Sequence, residues 1–132
     1  MQFTVRDWMI DLVVFIDPES TVDEGLALMR RRYIHSLIVN KTADSPEYGI
    51  VTSTDICDKI IAQECAPAHT KIKDIMNSPL ITVTRTMSLK DCSLIMKEHH
   101  IHHLPVVDER GIFLGEVRLE DIEKETSGGS VS

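Results

Sequence analysis

The stretch from Val5 to Asn40, VRDWMIDLVVFIDPESTVDEGLALMRRRYIHSLIVN, and the stretch from Ile72 to Val107, IKDIMNSPLITVTRTMSLKDCSLIMKEHHIHHLPVV, are one pattern written twice. Residue n of the first meets residue n + 67 of the second without a gap: Asp7 meets Asp74, Met9 meets Met76, Val14 meets Ile81, Ile16 meets Val83, Met29 meets Met96, Ile34 meets Ile101 and Leu37 meets Leu104. Beyond a loop that differs by one residue, Gly49 meets Gly115 and Asp55 meets Asp121. A repeat of this length predicts two units of one design.

Each copy opens with a short apolar strand rich in β-branched residues, VVFID or LITVT. A helix follows, its start marked by the capping-box pair Thr21 and Glu24, or more weakly by Ser88 and Asp91. Val22, Leu26, Met29 and Tyr33 then form one apolar stripe at helical spacing, which Leu89, Cys92 and Met96 repeat. Two strands come next, HSLIVN with YGIVTS and HHLPVVD with FLGEVRL, joined through Asp44-Ser45-Pro46 and Asp108-Glu109-Arg110-Gly111. A last helix starts near Asp55 or Asp121.

The order β-α-β-β-α, read twice, predicts a mixed α+β (α/β) fold. A unit of about 60 residues buries little surface alone, so the two repeats are expected to pack face to face with pseudo-two-fold symmetry. The expected boundaries are 1–61 and 72–126 for the repeats, 62–71 for a linker and 127–132, SGGSVS, for a flexible tail.

With 42% hydrophobic and 27% charged residues in 132, the chain has the profile of a packed globular protein. The net charge is −7, and the fourteen Lys and Arg are dispersed apart from Arg30, Arg31 and Arg32, so nucleic acid is not expected as a partner. The arginine run reads as a solvated helix face or as an anion contact. No apolar run approaches a membrane span and no signal-peptide layout opens the chain, which predicts a cytoplasmic protein. Cys57, Cys65 and Cys92, odd in number and without CxxC spacing, read as reduced thiols. No nucleophile sits in a motif with a base, and no Gly-rich phosphate loop is present, so an enzyme is not expected.

Two segments are polar where the pattern asks for strand. GIVTSTD, Gly49 to Asp55, and GEVRLED, Gly115 to Asp121, each run from a strand into a helix start. Free amides there favour anions and hydroxyl-rich ligands; a Thr or Asp before a helix is equally an everyday N-cap. Thr52 and Asp55 place a hydroxyl and a carboxylate beside one cleft, and a carboxylate that accepts two hydroxyls is a common way to hold a ribose.

The stretch KEHHIHHLPVVD, Lys97 to Asp108, holds four of the six histidines. A metal would need a helix end and both faces of a strand to converge with no nearby Cys, and RRYIHS in the first copy does not repeat the cluster. Metal is therefore not expected. His99 and His100 suit a helix C-terminus, while His102 and His103 read either as phosphate contacts or as plain surface and packing residues.

The doubled pattern, fullest in MNSPLITVTRTMSLKDCSLIMKEHHIHHLPVVDERGIFLGEV, resembles a tandem pair of CBS domains, named after cystathionine beta-synthase and together called a Bateman module. The likeness rests on the ordered set of strand, capped helix, h-x-x-L-P-V-V-D and G-h-x-[T/S]-x-x-D, and it spans nearly the whole chain. It implies a non-catalytic module that requires no cofactor. Two clefts between the repeats would bind adenosine-containing ligands (AMP, ADP, ATP or S-adenosylmethionine), and the module would signal to a protein partner in trans.

The resemblance assigns ribose hydroxyls to Asp55 and Asp121, and ribose or phosphate to Thr52. Arg118 stands where the second copy should carry a hydroxyl, and three roles are open to it: phosphate donor, cleft filler or solvated side chain. The polar residues before the L-P-V strand are implied to face the clefts: His35 and Ser36 in the first copy, His102 and His103 in the second. Adenine is expected against Ile16 and Leu37, or against Val83 and Pro105. Such pairs commonly form homodimers, which is the expectation here. The competing expectation is a structural or adaptor protein of the same fold, with empty clefts, acting through dimerisation or partner contacts.

Overall fold

The computed structural model describes residues 3–124, so the expected tail at 127–132 lies outside the described residues. The elements are α1 (Val5–Trp8), β1 (Phe15–Ile16), α2 (Val22–Arg32), β2 (Ser36–Val39), β3 (Gly49–Thr52), α3 (Ser53–Ile56), β4 (Val83–Thr84), α4 (Leu89–His99), β5 (His103–Val107), β6 (Phe113–Arg118) and a final helix α5 over 119–124. α3 continues as a π-helical turn, Cys57–Ile61. Together they make a mixed α+β fold of two repeats.

In each repeat a short parallel strand pairs with the first member of an antiparallel hairpin. The sheets run β1-β2-β3 and β4-β5-β6, with Leu37 opposite Val51 in one and Leu104 opposite Val117 in the other. All four of these side chains are fully buried. The strand expected over VVFID shortens to two residues, because the chain turns at Asp17, whose carboxylate accepts the Glu19 amide at 2.7 Å.

Both long helices start and stop by the same devices. Thr21 Oγ1 accepts the Glu24 amide at 3.2 Å, and Ser88 Oγ accepts the Asp91 amide at 3.1 Å. At the other end Tyr33 and His100, equivalent in the repeat, both sit in the left-handed region with φ 55°, which reverses the chain toward the next strand. This corrects the expected stripe: Tyr33 has left the helical path and is 93% exposed. Gly25, between Val22 and Met29, takes the buried place instead.

A Cβ on Gly25 would lie 2.9 Å from the Ile72 side chain. The counterparts of this pair are Cys92 and Val5, fully buried members of one cluster. A larger helix residue is matched by a smaller partner, as close packing at constant volume requires.

Packing divides the chain differently from repetition. One compact unit is residues 14–80, and the other joins residues 3–13 to residues 81–124. The segment that leads into each copy therefore packs on the sheet of the other copy. Ile50 and Asn77 exchange backbone hydrogen bonds at 3.0 and 2.9 Å, and their counterparts Glu116 and Ile10 do so at 3.0 and 2.8 Å. Likewise the Ile72 amide donates to Ser20 and the Val5 amide to Met87, both at 2.9 Å.

Glycine is required where these segments cross. A Cβ on Gly115 would collide with the Ile10 carbonyl oxygen, and one on Gly49 would meet Met76 Sδ at 2.8 Å and the Asn77 carbonyl oxygen at 3.0 Å.

Candidate functional site

Each hairpin ends where its second strand becomes a helix. At the first junction the Ser53 amide donates to the His35 carbonyl at 2.9 Å, and at the second the Leu119 amide donates to the His102 carbonyl at 2.9 Å. Ser36 lies directly opposite Thr52, and His103 directly opposite Arg118. The backbone thus presents the same positions twice, with different side chains.

At the first junction Thr52 is the N-cap of α3 and Asp55 is its N3 residue. The Asp55 amide donates to Thr52 Oγ1 at 3.2 Å, while Asp55 Oδ2 accepts the Thr52 amide at 2.9 Å and the Thr52 hydroxyl at 3.0 Å. This reciprocal cap explains why the helix begins at Ser53, two residues before the expected start. Asn77 Nδ2 spans the remaining edge of the carboxylate, 3.2 Å from Oδ1 and 3.1 Å from Oδ2. Lys59 Nζ lies 3.7 Å from Oδ1 and donates to the Ile75 carbonyl at 2.9 Å. The Asp55 side chain is 15% exposed.

At the second junction Arg118 replaces the hydroxyl. Its Nε donates to Asp121 Oδ2 at 2.8 Å and its Nη2 to Asp121 Oδ1 at 3.0 Å, a fork on both carboxylate oxygens. Nη1 lies 3.5 Å from Glu120. The Asp121 hydrogen bond holds the guanidinium above its usual range. Arginine has no side-chain acceptor, so it cannot cap a helix as Thr52 does. Beside this fork His103 Nδ1 is buried, without a hydrogen bond among the described residues, 3.6 Å from Glu116 Oε1.

The other residues singled out from sequence fall as follows. His35 and His102 are exposed, whereas Ser36 and Pro105 are buried. Ile16, Leu37 and Val83 are buried in the cores of their units. Asn77 and Lys59 at the first junction and Glu116 at the second were not among the candidates. Asn77 belongs by repetition to the second copy, where its counterpart is the apolar Ile10, so the repeat hides its place. A charged residue between Gly115 and Val117, inside the strand, is the available signal for Glu116.

Burial pushes the Cys92 thiol up to about 11, so it stays protonated near neutral pH, whereas Cys57 and Cys65 are exposed. Among the described residues no group of three or more His, Cys, Asp or Glu is placed to hold a metal. No described helix is long and apolar enough to cross a membrane.

The CBS domain family model matches residues 5–62 and again residues 72–128. The chain belongs to the CBS domain family. Such pairs are typically regulatory and are themselves non-catalytic.

The CBS domain-containing protein YhcV of Bacillus subtilis is 26% identical over 133 residues, covering 98% of this chain and 93% of that protein. An uncharacterized protein of Methanopyrus kandleri is 33% identical over 110 residues, 83% of this chain, which spans 56% of that relative's length. Among solved structures, the CBS domain pair of protein MJ0100, in complex with 5-methylthioadenosine and S-adenosyl-L-methionine, matches with a TM-score of 0.81. The identity there is 24%, over 98% of this chain and 99% of that one, and shows the shared fold.

Proposed function

We propose that this CBS pair is a regulatory module that takes an adenosine-containing small molecule at the β3–α3 junction, with the ribose diol on Asp55. The observation that carries the reading is the state of that carboxylate. Thr52 fixes its orientation through amide and hydroxyl, while its other edge takes hydrogen bonds from the neutral amide of Asn77, with Lys59 Nζ 3.7 Å from Oδ1. Two ribose hydroxyls would offer the same kind of neutral donors to the same two oxygens, so exchange with the Asn77 amide conserves hydrogen bonds. A carboxylate already held in place loses little freedom on binding.

The complex of protein MJ0100 supports the reading at the level of the fold. The assignment to this chain rests on Asp55 and Thr52. The reading extends to a homodimer in the cytoplasm whose ligand state is passed to a protein partner in trans. The ligand would act by favouring one arrangement through differential affinity.

The test is a thermal-shift series with adenosine, AMP, ADP, ATP, S-adenosylmethionine and 2′,3′-dideoxyadenosine. Adenosine at about a hundred times its Kd is expected to stabilise the protein by roughly 2.7 kcal/mol. The dideoxy compound should not, and Asp55→Ala should abolish the shift while circular dichroism shows an intact fold. Equal shifts with adenosine and its dideoxy analogue, or none with any adenosine compound, would overturn the reading and leave the adaptor role.

A further inference from the structure

We infer that Arg118 closes the second junction: its guanidinium occupies the edge of Asp121 that a diol would need, so each chain holds one nucleoside rather than two. The inference rests on the ribose reading of Asp55 and concerns the position that decides which copy works.

The two junctions share a backbone, and the carboxylates are exposed to a similar degree, 15% for Asp55 and 19% for Asp121. They differ in the group that hydrogen-bonds the carboxylate: Lys59 Nζ stands 3.7 Å from Asp55 Oδ1 but gives its short hydrogen bond, 2.9 Å, to the Ile75 carbonyl. Asn77 is neutral and bridges both oxygens of Asp55 at 3.1 and 3.2 Å from a single nitrogen. Arg118 is cationic and places two separate nitrogens on the oxygens of Asp121 at 2.8 and 3.0 Å. Charge-assisted, bidentate hydrogen bonds are roughly twice as strong as neutral ones.

A diol has only neutral donors, so it can replace an amide at small cost but cannot match a guanidinium. Displacing Arg118 would also leave a partly buried cation and carboxylate without each other, which is the costly way to break an ion pair.

The surrounding charge removes the phosphate role. Asp121, Glu120 and Glu116 all act electrostatically on Arg118, so three carboxylates surround one guanidinium. His103, the facing titratable group on β5, is itself turned to Glu116. A phosphate brought there would meet net negative charge. Arg118 is thus a built-in occupant of its own junction, a specificity-determining residue that acts by exclusion.

Isothermal titration with adenosine as the probe tests this. Wild type should bind one adenosine per chain, and Asp121→Ala should leave both stoichiometry and affinity unchanged. Arg118→Thr, which restores the hydroxyl of the first copy, should raise the stoichiometry to two. Asp55→Ala should bind none, and Asp55→Ala combined with Arg118→Thr should bind one. Two sites in wild type, loss of binding in a folded Asp121→Ala, or a single site in a folded Arg118→Thr when wild type also binds one, would overturn the inference. Should Arg118→Thr fail to fold, the wild-type and Asp121→Ala titrations decide. Wild type without binding and Arg118→Thr with one site would overturn the Asp55 reading yet keep Arg118 as the block; no binding to either would overturn both.

Discussion

At the β3–α3 junction Asp55 is covered by the neutral amide of Asn77, whereas at the β6–α5 junction Asp121 is gripped by the guanidinium of Arg118. Much of the backbone beneath these carboxylates is alike. The same carbonyl accepts the first helical amide, the same register sets residue 36 against 52 and 103 against 118, and the same kind of leading segment crosses each hairpin. The lesson is that substitutions at a few positions of a repeat can change the chemistry of a junction without touching its scaffold. Backbone hydrogen bonds and core packing secure the scaffold, leaving the polar edge free to diverge.

The largest effects should test the claim that the scaffolds are alike. Leu37 and Leu104, equivalent and fully buried, should each cost about 3 kcal/mol when changed to Ala, within a usual range of about 2–5. Urea denaturation measures both. A cost in one and none in the other would break the equivalence on which the comparison of the junctions depends.

A smaller effect should separate the two crossings. Gly115→Ala drives a methyl into the Ile10 carbonyl oxygen, so backbone must move, at a cost of about 1–3 kcal/mol. Gly49→Ala meets the movable Met76 side chain at 2.8 Å and a backbone oxygen, that of Asn77, only at 3.0 Å, and should cost less. Equal losses in midpoint would show that the two leading segments are held with equal rigidity.

The smallest effect concerns position 92, where the second copy has a thiol and the first has Gly25. Burial raises the folded-state pKa of Cys92 from an ordinary 9.0 to about 11, so the protonated thiol favours the fold. The sign follows: this contribution is fully present below about pH 9 and is lost as pH rises through about 11. Stability measured across that window should decline less steeply in Cys92→Ala than in wild type. A thiol reagent at pH 8 should label Cys57 and Cys65 in the native protein and leave Cys92 unlabelled until the chain unfolds.

Much of the fold was legible in the chain. The repeat, the element order, the caps at Thr21 and Ser88 and the Thr52–Asp55 pair are short-range signals that act within three or four residues, where the backbone itself brings the groups together. The stripe of α2 misled at Tyr33 because helical spacing continues in sequence past the point where φ turns positive. The importance of Asn77 was not legible: it lies 22 residues from Asp55, and repetition assigns it to the wrong copy.

By itself the sequence determined that there are two copies of β-α-β-β-α, that each ends in a carboxylate at a helix start, and that position 118 departs from position 52. Only the tertiary structure decided that the segments 3–13 and 71–80 each serve the other copy's sheet, that Asn77 rests on Asp55, and that Glu116 is buried beside His103. The division has a physical cause. Capping and periodicity are satisfied within a turn or two of chain, whereas an extended segment finds its partner amides and carbonyls wherever packing delivers an unpaired strand.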